Sequence, residues 1–107
     1  MKILKIQPFD YNLYFFTDKE ELINWINKEH PNSQDIIDKL KSSIGLMIEF
    51  DKQPIFALYV ESLDSLDHEL IHATWFILNF AGVIIDRDNH EIQAYFFEYL
   101  KKLILES

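Results

Sequence analysis

The stretch from Leu66 to Ala81 limits the possible folds of this chain more than any other. It is almost continuously apolar, through Leu70, Ile71, Ala73, Trp75, Phe76, Ile77, Leu78 and Phe80, yet it carries His68, Glu69 and His72 close to its start. A segment apolar on nearly all sides reads as a helix at the centre of a core. The most apolar run, Leu70 to Ile85, is broken by His72, Thr74 and Asn79 and falls short of the ~20 residues a membrane-spanning helix needs. It is expected to be buried in protein, and no membrane partner is expected. At 107 residues the chain has the size of one domain, so residues 1–107 are read as a single unit built around this helix.

The flanking segments supply the layers such a helix needs. Residues 2 to 16 alternate and then turn aromatic, which predicts one or two strands broken near Pro8. Thr17-Asp18-Lys19-Glu20-Glu21 has the capping residue and early acidic residues of a helix start, and Leu22, Ile23, Trp25 and Ile26 should enter the core. His30-Pro31 ends that helix, because a residue before proline is pushed out of the α region. Asn32 or Ser33 can cap a second helix, with Ile36, Ile37, Leu40 and Ile44 at helical spacing. Gly45 then precedes Leu46–Phe50, a turn at Asp51-Lys52-Gln53-Pro54, and Ile55–Val60, a predicted β-hairpin. Ser62 and Asp64 are N-cap candidates for the apolar helix, Gly82 stops it, and a turn-rich Asp86-Arg87-Asp88-Asn89 leads into a last amphipathic helix over 89–105. The expected class is α+β: a small antiparallel or mixed sheet packed on the central and C-terminal helices, with the two N-terminal helices covering another side.

Composition narrows the chemistry. The chain has no Cys, so thiolate catalysis is excluded and any metal must use His, Asp or Glu. Eighteen acidic against ten basic residues give a net charge of −8, which repels phosphate backbones and anionic headgroups, so nucleic acid is not an expected partner. Met1 to Pro8 alternates polar with apolar and lacks the core of a signal peptide, which predicts an intracellular, cytoplasmic protein.

Histidines four residues apart on a helix lie one turn apart on one face, so His68 and His72 can turn their imidazoles toward one ion. Glu69 is rotated by about 100° from His68, out of line as a ligand but within reach of a metal-bound water, the position of a general base. A catalytic zinc site takes three protein ligands and leaves the fourth position for water. Asn89-His90-Glu91 opens the last helix, with Tyr95 one turn beyond Glu91 and Tyr99 one turn beyond that.

The string Ser65 to Thr74, with His68-Glu69-Leu70-Ile71-His72 at its centre, resembles the extended zincin signature, Thr74 replacing a residue that is usually larger and hydrophobic. Residues 46 to 100 resemble the gluzincin branch in pattern, including short zincin-like proteins of phages and prophages. The resemblance implies Zn²⁺ on His68 and His72, with Glu91 as the third ligand and His90, Asp86 or Asp88 as substitutes. It implies a metal between the last two helices and a substrate-binding edge strand at Ile55–Val60. Tyr95 is the candidate to point its hydroxyl at the metal-bound oxygen, and Asn79 is a candidate partner behind the ligands. His30 needs no functional role. Two functions follow as expectations. One is a zinc-dependent metallopeptidase acting on a peptide or protein substrate, with Glu69 as base. The other is a catalytically silent zincin-like binding protein whose acidic surface engages a host protein or small molecule.

Overall fold

The computed structural model describes residues 1–50 and 53–107. Four strands, β1 (Lys2–Ile6), β2 (Tyr11–Phe16), β3 (Gly45–Glu49) and β4 (Ile55–Val60), form one mixed sheet in the order β1-β2-β4-β3. The β1–β2 and β3–β4 pairs are antiparallel, and β2 and β4 join them by a parallel seam in which Leu13 faces Phe56 and Phe15 faces Leu58. Asp51 and Lys52 of the expected hairpin turn lie outside the described residues, while Gln53 N–H donates to the Phe50 carbonyl at 3.0 Å.

Four helices cover the two faces: α1 (Lys19–Glu29) and α2 (Gln34–Lys41) on one, α3 (Leu66–Phe80) and α4 (His90–Leu105) on the other. Strand alternation explains the division. Leu13 and Phe15 point with Met47, Phe56, Leu58 and Val60 toward Leu66, Leu70, Ala73, Ile77, Phe96, Leu100 and Ile104. Phe16, Ile48, Ala57 and Tyr59 point the other way, onto Leu22, Ile26, Ile37 and Leu40. The sheet is therefore the middle layer of an α+β domain, as its pattern predicts. Among the described residues, no helix is long and apolar enough to cross a membrane.

The helix ends follow local chemistry. Asp18 is the N-cap of α1, its carboxylate accepting from the Glu20 and Glu21 amides at 2.9 and 3.4 Å. Helix α2 stops at Lys41, so Ile44 lies beyond it and is exposed, against the expectation that it continues the helical face. Gly82, at φ 84°, closes α3: its own N–H bonds the Asn79 carbonyl and the Val83 N–H bonds that of Leu78. This left-handed closure is where a side chain would be strained. A 3₁₀ turn over Leu63–Ser65, with Ser62 at its own N-cap position, leads into α3, whose N-cap is Ser65 and neither of the expected Ser62 and Asp64. Asp86 caps the 3₁₀ turn Arg87–Asn89 ahead of α4.

Candidate functional site

His68 and His72 stand on the exposed flank of α3, their ring centroids 5.1 Å apart at 71°. The His72 ring continues onto Phe76 at 6.1 Å. Glu69, one residue around the helix, is turned inward: its side chain is 9% exposed against 73% for His68, with Oε2 3.8 Å from His68 Nε2. Among the described residues, the Glu69 carboxylate has no hydrogen-bond donor. Its oxygens are not sealed in the core: no buried side-chain oxygen among the described residues lacks a partner, so the Glu69 carboxylate opens into the hollow beside His68.

The opposite wall is strand β3. Gly45, Leu46 and Met47 line a hollow of about 270 Å³ with His68, Glu69, His72 and Phe76. β3 is an edge of the sheet, paired among the described residues only to β4. The Glu61 N–H bonds the Ile44 carbonyl across that ladder. The alternation of an antiparallel pair then turns the backbone N–H and C=O of Gly45, Met47 and Glu49 outward, to the free side. The groove thus joins two imidazoles, the carboxylate of a largely covered side chain and a strand edge with unpaired peptide groups.

This arrangement corrects three expectations. The edge strand beside the histidines is β3, whereas Ile55–Val60 is β4, a central strand flanked by β2 and β3. The histidines face β3, and the space between α3 and α4 belongs to Ile71, Thr74, Trp75, Gln93, Ala94 and Phe97. Glu91 is not brought to the histidines. Lys101 pairs with Asp67 at 3.1 Å, so the C-terminal end of antiparallel α4 sits at the start of α3. Glu91 is then about 15 Å farther along the axis at 1.5 Å per residue, past the level of His72.

Glu91 is 71% exposed and faces His90 Nδ1 at 3.9 Å. Tyr95 is 67% exposed on α4 and does not line the groove. The Tyr99 hydroxyl accepts from the Gln7 amide at 2.8 Å, which ties it to the end of β1. Asp86 is occupied with capping, its carboxylate accepting from the Asp88 and Asn89 amides. Asn79 lines a separate hollow with Trp75, Val83, Ile84 and Ile85, beyond Phe76. Thr74, the departure from the zincin pattern, is buried and donates to the Leu70 carbonyl at 2.8 Å within its own helix.

Two imidazoles one turn apart fit a divalent cation as two of the three protein donors of a catalytic zinc site. Among the described residues, no group of three His, Cys, Asp or Glu side chains is arranged to hold a metal ion. The residue that the sequence reading overlooked is Gly45. Its signal was present: one of only two glycines, placed where a strand begins, a position that often marks close approach of another group. Comparison with protein-family models, with curated proteins and with solved structures finds no match for this chain.

Proposed function

We propose that this chain is a zinc-dependent peptidase, with His68 and His72 holding the metal, Glu69 as general base and an extended peptide as substrate along β3. One observation carries this reading: both imidazoles and the largely covered Glu69 side chain, its carboxylate open to the groove beside His68, meet where the other wall is a free strand edge. A peptide can add to that edge through the outward peptide groups of Gly45 and Met47, which brings its carbonyl past the histidines. Bound zinc would supply Lewis acidity toward the scissile carbonyl and a water. Glu69 takes the water's proton on a carboxylate oxygen and delivers it to the leaving amine.

A second reading has its own observation. Glu91 and Tyr95 stand apart from the histidines, and a site with two protein donors suits a binding protein that needs no turnover. On that reading the β3 edge and the acidic surface engage a protein partner, and Glu69 is dispensable.

Metal content by inductively coupled plasma mass spectrometry on untagged protein, wild type beside His72→Ala, is the first test. Near one zinc per chain, lost in the variant, is the expected result; no metal in either sinks the peptidase reading. Glu69→Gln separates the two functions. A base lost from its position lowers turnover of a cleaved peptide by roughly 100-fold or more while zinc remains bound, whereas the binding reading predicts unchanged metal content and unchanged partner affinity.

A further inference from the structure

The contact between Glu69 and β3 is closer than any strand residue but glycine permits. A methyl group placed on Gly45 would stand 2.8 Å from Glu69 Cγ, 2.8 Å from Oε2 and 3.0 Å from Cδ, all inside contact distance. The backbone at Gly45 is ordinary strand paired with Val60, so the glycine is not required by local conformation. What requires it is the volume occupied by the carboxylate.

We propose that Gly45 is a positioning residue: its missing side chain is the recess that holds the Glu69 carboxylate against the substrate-binding edge, beside the histidines. This rests on the peptidase reading for its consequence in turnover and stands on geometry for the placement itself. Two features argue that the recess serves chemistry. First, the carboxylate held there has no hydrogen-bond donor among the described residues and its oxygens open into the groove with His68 and His72, so the recess aims them at the groove and not at a structural partner. Second, the Gly45 peptide group faces the free edge, so the strand position that seats the base is also a position that would pair with a peptide. Base and scissile bond are thereby referenced to one backbone point.

The clashing atoms belong to a flexible side chain rather than to backbone, so Gly45→Ala is expected to fold and to move Glu69 outward. Glu69→Asp shortens the side chain by one methylene and vacates the recess. Four chains test the proposal: wild type, Gly45→Ala, Glu69→Asp and the double variant, each read for carbodiimide labelling of the carboxylate at position 69 by mass spectrometry, zinc content, and kcat and KM on a cleaved peptide. With Glu69 in place, Gly45→Ala is expected to raise labelling several-fold and to lower kcat by roughly ten-fold or more with zinc retained. Introduced into the Glu69→Asp chain, the same substitution should change neither by more than about two-fold. Folding of the alanine variant only when combined with Glu69→Asp also supports the clash.

Unchanged labelling and kcat in Gly45→Ala overturn the proposal, and so does an equal loss in both backgrounds, which would make Gly45 a residue of the sheet alone. If the wild type cleaves no peptide, the peptidase reading fails by that result, and the labelling comparison still decides whether Gly45 seats the carboxylate.

Discussion

At the residue scale, histidine chemistry divides cleanly in this molecule. His68 and His72 are exposed beside a groove, whereas His30 lies flat on Phe50 with ring centroids 3.8 Å apart and meets Trp25 at 5.1 Å. Burial among these rings lowers its pKa from 6.5, and the Glu29 charge opposes the shift without cancelling it. The folded chain therefore favours neutral His30. Above pH 6.5 this group costs nothing; as pH falls below that value the unfolded chain takes up a proton that the folded chain resists, and stability drops until the folded pKa is passed. Thermal melts between about pH 7.5 and 5 should show wild type losing more midpoint temperature on acidification than His30→Phe, and parallel curves would refute the assignment. At this scale the His68/His72 pair and Glu69 were legible because one helix fixes their relation. The Gly45 recess was not, because it depends on how a strand and a helix distant in sequence are set against each other.

Elements were legible where a local period or cap defines them. The α1 start is a case: Asp18 accepts from two amides that the helix otherwise leaves without partners. Asp18→Ala is expected to cost about 1 kcal/mol, measured by urea unfolding, since the cap is lost while the buried face of Leu22 and Ile26 stays intact. Strand order was less legible. Ile55–Val60 precedes the motif helix closely, which favours reading it as the neighbouring edge, but β2 pairs on its other side and makes it central. The clue lay in its composition, since Phe56 to Val60 is apolar at every position and β4 is buried on both faces. Glu91 misled for a related reason. Its place at the start of α4 was clear, and the direction and depth at which α4 crosses α3 were not, being set by Phe97, Leu100 and the Lys101–Asp67 pair.

For the whole molecule, two apolar cores on either side of one sheet close without His68, Glu69 or His72, the groove adding to them only apolar wall residues such as Met47 and Phe76. Folding and metal binding should therefore be separable, unlike a domain whose structural zinc supplies its folding energy. Treatment with a chelator is expected to abolish peptide cleavage, restored by added Zn²⁺, while the thermal midpoint followed by circular dichroism moves by no more than a few degrees. Collapse of the fold on chelation would assign the metal a structural role instead.

The parallel seam between β2 and β4 also bears on how the chain reaches this structure. Each antiparallel pair joins strands close in sequence, Ile6 opposite Tyr11 and Glu49 opposite Phe56, so either can form with little loss of chain freedom. The seam instead brings Leu13 to Phe56 and encloses α1, α2 and β3 within one loop. Its closure carries the largest entropic cost of any pairing in the sheet and offsets it only when both cores are covered together. Two small hairpins with their helices are thus bound into one cooperative unit, and an unassembled half would expose the bare flank of β2 or β4 to any other chain nearby.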